Sequence, residues 1–399
     1  MDTVTGLPDA SAWALDPGLA YLNHGGFGAA PIEVLAEQQA WRAALERSPA
    51  GFLIRELPDL LGAVRAKVAG FLGADPDGVV FTDNATTGTQ TVIAQAVLAG
   101  TGLAPGDEVL TTDHCYPAVL AQLGRAITAT GAEVKVAPVP IPAGGPAAVA
   151  EAVLSRLSSR TRLLVIDHVA SCSGLVFPVE HIVDECRRQQ VPVLVDGAHA
   201  VGMMAVDLGR LAADFWVGNL HKWLCAPKAS AVLYAAPRWR DTLRPLVASH
   251  GFADGYQPAF AWTGTRDPSA LLAVPAAIAF LNRAGWQEVW QHNNELASRG
   301  ADLVAARIGT STPEADGLAA AMRLVRLPEP LDEAGARELE RRLLDDHRVV
   351  VPVTYHGGYQ WLRVSAQLYN TIADYERLAE ALVGLITPRI RAKGRLTGG

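Results

Sequence analysis

Residues 191–224 read VPVLVDGAHAVGMMAVDLGRLAADFWVGNLHKWL, and the fold is decided by how this stretch sets polar groups after apolar runs. Val191 to Val195 is a β-branched apolar run, which predicts a strand buried on both faces. Asp196 follows at once. It stands at the strand's C-terminal end, where open parallel sheets bind their ligands. A second short run, Phe215 to Val217, predicts another strand and leads into Asn219, His221 and Lys222. An acid and a lysine thus end two strands, with His199 and His221 close by. Alone, Asp196 would read as a helix cap and Lys222 as a solvated lysine. Together in a buried site they need a partner, because a buried carboxylate is costly unless a cation or donor meets it. A protonated pyridine nitrogen is such a partner. Pyridoxal 5′-phosphate (PLP) uses an Asp on that nitrogen and a lysine for its Schiff base.

The rest of the composition agrees with an enzyme of this size. A chain of 399 residues predicts two domains rather than one small core. Half the residues are apolar and 19% are charged, ordinary values for a globular protein. A formal charge of −7 argues against nucleic acid as the main partner. No apolar run reaches the roughly 18 residues that a membrane span needs. The N-terminus, MDTVTGLPDASAW, lacks the basic and apolar regions of a secretion signal. Cys115, Cys172, Cys186 and Cys225 are scattered without metal-ligand spacing, so reduced thiols in the cytoplasm and no metal are expected.

Taken in order, residues 1–20 read as an arm that packs on the body or on a second subunit. YLNHGGFGAAP, 21–31, is a loop whose glycines permit close backbone approach. Helices are expected at 31–48 and 57–73. A strand at Val79 to Thr82 runs into DNATTGTQ, and a strand followed by small hydroxyl residues and a helix makes an anion site. A Thr-rich helix cap gives the same string. Strands near Glu108 to Thr111, Glu133 to Val136 and Arg162 to Ile166 follow. The first ends in TDHCYPAV. The last ends in DHVASCSG, which sets His168 and Ser171 at the pocket edge, although a core histidine reads the same way. After a strand in APKASAVLY, the loop-rich region 245–267 ends in WTGTRDPSA. Helices at 268–283 and 286–308 cross to a C-terminal unit with strands at Met322 to Leu327 and Val349 to Val353, a helix at 333–346, and a strand in WLRVS. Arg363, central in that strand, has the planar fork that suits a carboxylate.

VDGAHAVG with GNLHKW resembles the core of the class V aminotransferase group of fold-type I PLP enzymes. YLNHGGFG and FLIRELP (52–58) narrow the resemblance to the isopenicillin N epimerase-like branch, near cysteine C–S lyases. It runs from about Tyr21 to LRVSAQLYNT. It implies an α/β, fold-type I transferase with an N-terminal arm (1–20), a large PLP-binding domain with a mostly parallel sheet (21–267), and linking helices with a smaller α+β domain (268–399). By that resemblance Lys222 carries PLP and serves as base and acid, and Asp196 holds the ring nitrogen. His199 and Ser171 would bond the 3-hydroxyl. Ala85, Thr86, Thr87, Asn219 and His221 would hold the phosphate, although Asn219 and Leu220 stand where relatives have Ser-Gly. For the residue stacking on the ring, alignment on the proline selects Tyr116 and alignment on the acid–histidine pair selects His114; Tyr116 is preferred. Gly264 and Thr265 would reach the phosphate of a second subunit, which makes a homodimer with shared sites. Asn23, His24 and Gly25 would face the reacting carbon, and Arg363 would hold the α-carboxylate.

Desulfurases need a cysteine on a loop in the C-terminal half, and none occurs after Cys225. Among the remaining reactions through an α-carbanion, β-elimination from a cysteine S-conjugate is expected, with a place in secondary metabolism. Epimerisation of an amino acid is the alternative, followed by decarboxylating deamination or transamination.

Overall fold

The computed structural model describes residues 6–95, 102–313 and 317–394, with side chains as far as 385. Residues 1–5 of the expected arm lie outside that range. Among the described residues there are twelve strands, most of them separated by helices. They are β1 (Ala20–Tyr21), β2 (Val79–Thr82), β3 (Glu108–Thr112), β4 (Glu133–Ala137), β5 (Thr161–Asp167), β6 (Val193–Asp196), β7 (Phe215–Asn219), β8 (Ala231–Ala235), β9 (Met322–Arg326), β10 (Val349–Val350), β11 (Val353–His356) and β12 (Tyr359–Ser365).

The main sheet has seven strands in the order β2-β8-β7-β6-β5-β3-β4. Only β8 runs against its neighbours, and β7, β6, β5, β3 and β4 are parallel. β6 is central and every residue in it is buried, as its unbroken β-branched run requires. Each of its aliphatic side chains contributes about 1.5–3 kcal/mol by leaving water. That burial fixes where Asp196 stands: in register with Asp167 on β5 and Val217 on β7.

A three-stranded antiparallel sheet, β11-β12-β9, carries Arg363 on its central strand. The arm packs on its own chain. Trp13 is buried with its ring 5.4 Å from Phe280 and 5.3 Å from Tyr369. β1 pairs in parallel with β10.

Some boundaries moved for local reasons. The single strand expected at Val349–Val353 is two, because Pro352 has no N–H to continue a ladder; β10 pairs with β1 and β11 with β12. The helix expected at 268–283 breaks into Ser269–Leu272 and Val274–Ala284. FLIRE, 52–56, forms a π-helical turn. The C-terminal helix Ile372–Gly394 had no counterpart in the reading of the sequence. Among the described residues no single helix is long and apolar enough to cross a membrane.

Candidate active site

The C-terminal ends of β5, β6 and β7 and the N-terminus of the helix Ala85–Gln95 enclose a cavity of about 200 Å³. Its walls include Thr86, Tyr116, Ser171, Asp196, His199, Asn219, His221 and Lys222. Residues scattered over 137 positions of sequence therefore share one cleft, because parallel strands bring their C-terminal ends to one edge.

The floor holds two buried carboxyls. Asp196 accepts a hydrogen bond from the Ala198 N–H at 3.0 Å. Asp167, its register partner, also lines the cavity. Burial raises both above the usual carboxylate range, and the Asp196 charge pushes Asp167 further. Two carboxylates side by side in a dry site cannot both ionise cheaply. Asp167 was not singled out from sequence. The signal was available, since it ends a parallel strand just as Asp196 does.

Lys222 Nζ lies 3.2 Å from His199 Nε2. Burial first, and then the Arg363 charge, lower its pKa to about 8. The Trp223 indole donates to His199 Nδ1 at 3.4 Å. An indole N–H only donates, so a neutral His199 carries its proton on Nε2. Burial, then Lys222, hold His199 well below its ordinary value. The proton on Nε2 therefore faces Lys222 Nζ, and the 3.2 Å contact is a hydrogen bond only while the amine is uncharged.

The helix Ala85–Gln95 turns its first N–H groups toward the cavity. The Ala85 N–H donates to Asn219 Oδ1 at 2.8 Å. Thr87, expected at the phosphate, donates its N–H (2.8 Å) and its hydroxyl (3.2 Å) to Asn84 Oδ1 and is not among the residues lining the cavity. Thr86 faces the cavity and makes no such cap. Asn219, having used Oδ1, keeps its NH₂ donors. His221 Nδ1 donates to the Ser230 carbonyl at 2.9 Å. Burial holds the ring neutral, with a pKa of about 4, so Nε2 presents a lone pair. It can bond a phosphate oxygen once it takes up a proton, and a phosphate dianion supplies the countercharge.

Tyr116 lines the cavity. His114 does not: it is fully buried, with Nδ1 2.8 Å from Ser173 Oγ and Nε2 2.8 Å from the Val139 carbonyl. His168 is likewise a core residue, taking the Trp216 indole N–H at 3.4 Å. Thr265 is exposed and takes no part in its own chain's cavity.

The loop YLNHGGFG reaches the cavity through Gly26 and Phe27. His24 is not among the residues that line it. Its Nε2 donates to the Lys222 carbonyl at 3.0 Å, and its Nδ1 accepts from the Tyr369 hydroxyl at 2.9 Å. Burial lowers its pKa to about 3, so it braces the lysine's backbone as a neutral ring. Gly25 packs against Met322 and Trp223. Gly28 lies so close to the lysine segment that a Cβ there would fall 2.5 Å from the Lys222 carbonyl oxygen. The close approach inferred from the glycines is made by Gly28 to the lysine's own backbone, while Gly26 lines the cavity. Asn23 acts one step out, accepting from Arg363 Nη2 at 3.0 Å.

Arg363 is buried. Its Nη1 donates to the Ser171 carbonyl and to Ser171 Oγ, the latter at 3.2 Å. Its Nε–H has no partner, and among the described residues no carboxylate pairs with it. Burial lowers its pKa to about 10, so it stays a cation.

The residues fit PLP. An acid pair waits for a cation, a helix N-terminus with Thr86 and Asn219 donors waits for an anion, and a depressed lysine stands between them. Comparisons with known proteins point the same way. The sequence model described as "Aminotransferase class-V" matches residues 33–378. An isopenicillin N epimerase of Amycolatopsis lactamdurans is 37% identical over 94% of this chain and 98% of its own length. A probable chloroplastic L-cysteine desulfhydrase of Arabidopsis thaliana is 31% identical over 93% of this chain and 84% of its own. Among solved structures, a complex of a cystine C–S lyase with cysteine persulfide superposes with a TM-score of 0.78. It is 22% identical and covers 92% of this chain and 97% of that one, which speaks for the fold.

Proposed function

The chain belongs to the class-V aminotransferase family of PLP-dependent enzymes, and from that premise we propose that it catalyses β-elimination on cysteine or a cysteine S-conjugate. One observation carries the reading of the substrate. Arg363 is a buried cation with an unpartnered Nε–H and no counter-ion, tied through Ser171 to the wall of the cavity. A buried charge without a partner is costly. A ligand carboxylate is the group whose two oxygens match the guanidinium fork. An α-amino acid brings one, and brings the amine that must meet the cofactor beside Lys222.

PLP, when bound, withdraws electrons from the α-carbon and so acidifies its hydrogen. The chain's own residues do the rest. Asp196 and Asp167 share the negative charge that keeps a ring cation in place. Thr86 and Asn219 would donate to the cofactor's phosphate. Arg363 fixes the carboxylate, and Asn23 and Ser171 fix Arg363, so the α-carbon is held in one orientation. Lys222, with a pKa near the working pH, takes the α-proton as the C–H bond breaks. The β C–S bond then breaks, sulfur leaves with the electron pair and is protonated, and hydrolysis of the three-carbon product yields pyruvate and ammonia.

Elimination needs proton transfer at one face of the α-carbon. The cavity walls contain one lysine and no cysteine, which suits elimination better than persulfide transfer. Epimerisation is the second reading, favoured by the 37%-identical relative, with Tyr116 as the other protic group over the cleft. Both readings take the assembly to be a homodimer in which Thr265 serves the neighbouring site.

Incubating the holoenzyme with cysteine, cystine and S-alkylcysteines decides between them. Pyruvate and a thiol or sulfide in equal amounts are expected. Exchange of the α-hydrogen with inversion and no pyruvate would replace elimination by epimerisation, and carbon dioxide release would replace both.

A further inference from the structure

Behind the cavity wall, three elements distant in sequence bring together His114, Cys172 and His356, whose donor atoms all lie within 4.8 Å of one another. His114 follows β3, Cys172 follows Ser171 beyond β5, and His356 ends β11 in the small sheet. We propose that this cluster is a binding site for one zinc-class cation, with two histidine nitrogens and one thiolate as ligands and the fourth position open to water.

The arrangement of hydrogen bonds makes both rings suitable ligands. His114 Nε2 lies 2.8 Å and His356 Nε2 3.3 Å from the same acceptor, the Val139 carbonyl. A carbonyl can only accept, so each Nε2 carries the hydrogen and each ring keeps its lone pair on Nδ1. Asp113 stands on that same side, 3.9 Å from both Nε2 atoms, and accepts from the Val139 N–H at 2.9 Å. A carbonyl and a carboxylate on the N–H side are the outer partners that orient metal-bound histidines. On the lone-pair side of His114, Cys172 Sγ is 3.9 Å from Nδ1. Ligands about 2.0 and 2.3 Å from a tetrahedral zinc stand roughly 3.5 Å apart, so small side-chain shifts complete the site.

The chemistry selects the ion. Imidazole and thiolate suit zinc, cadmium or cuprous copper and not magnesium or calcium. His114 is already neutral, burial holding its pKa at about 4. Cys172 is a protonated thiol, raised to about 12 by burial and the Asp167 charge, and it is only half-buried, which gives an ion a way in. Binding exchanges the S–H bond for an S–metal bond and releases that proton to solvent. Ser173, now bonded to Nδ1, gives up its place. An ion there would tie the hairpin that carries Arg363 to the loop whose Ser171 that arginine holds.

The test uses the holoenzyme freed of metal on a chelating column. Titration with zinc should load one ion per chain and release about one proton per ion at neutral pH, read by calorimetry in buffers of different ionisation enthalpy. Cadmium should give a thiolate charge-transfer band in the ultraviolet. Cys172→Ser and His356→Ala should each weaken zinc binding at least tenfold and remove the cadmium band, with cofactor content unchanged. Zinc affinity unaltered by both substitutions, or no cadmium band in the wild-type protein, overturns the site.

Discussion

Replacing Arg363 by lysine keeps a positive charge and should still cripple substrate binding. In the protein the guanidinium is held by Asn23 Oδ1 at 3.0 Å and by Ser171 Oγ at 3.2 Å, leaving Nε–H without a partner. A lysine ammonium is a point charge and cannot hold both supports while offering two parallel donors to a carboxylate. One charged hydrogen bond lost at a buried site costs about 1.5–3 kcal/mol, or about 10- to 100-fold in affinity. Turnover should fall as well, since a carboxylate free to pivot lets the α-carbon leave its reactive orientation. Asn23→Ala removes only a support and should cost about 1 kcal/mol, roughly fivefold. The assay is a spectral titration of the holoenzyme with an amino acid and, separately, with the amine lacking its carboxylate, such as cysteine against cysteamine. Wild type should prefer the acid strongly. Arg363→Lys should lose most of that preference while binding cysteamine normally. An unchanged preference in Arg363→Lys would refute the idea that this cation meets the carboxylate.

Four further outcomes are expected. Lys222→Ala should leave no cofactor bound through a reducible covalent link, and borohydride trapping at another lysine would reject the assignment. Asp167→Asn should stabilise the cofactor-free protein near pH 8: a carboxyl raised by burial contributes stability below its unfolded pKa of about 4 and loses it as pH climbs toward its folded value. The melting curves of variant and wild type should therefore converge as pH falls toward about 4, and a constant gap would contradict the sign. Gly28→Ala drives a methyl into the Lys222 carbonyl and should lower both melting temperature and cofactor affinity; wild-type values for both would show that the loop yields freely. Sedimentation should find a dimer, and Thr265→Val should weaken cofactor binding although Thr265 does not line its own chain's cavity; a fully active monomer would contradict the shared site.

Much of this site could be read from linear order because strand ends are linear features. Asp196 and Lys222 follow apolar runs, and the sheet places them. Side-chain direction is not linear. Asn84 and Thr87 are three apart in a helix start, and whether Thr87 points to a ligand or back to its cap depends on a rotamer that the string ATTG does not encode. The resemblance set His24 at the reacting carbon, yet its hydrogen bonds run to Tyr369 and to the Lys222 carbonyl, both far along the chain. Asp167 was legible by the same rule as Asp196 and was hidden by the histidine and serine that follow it. The cluster of His114, Cys172 and His356 has no spacing to recognise, since its members join only when the small sheet docks.

The pairing of β1 with β10 also sets an order of events on the ribosome. Ala20 and Tyr21 lie in register with Val349 and Val350, the Ala20 and Leu22 N–H groups donating to the Arg348 and Val350 carbonyls at 2.9 Å, with more than three hundred residues between the strands, and the residues just after β1 are those that brace Lys222 and Arg363. Loop closure over such a span comes late, because the entropy of bringing the ends together must be met before any contact repays it. A nascent chain can therefore build most of its central sheet while the lysine's carbonyl still lacks His24. Chains arrested before residue 349 should carry a protease-sensitive N-terminal segment and capture cofactor weakly, and extension of the chain through β10 and β12 should cure both at once. The reactive cofactor should then be taken up only once β10 has been made and β1 has paired with it.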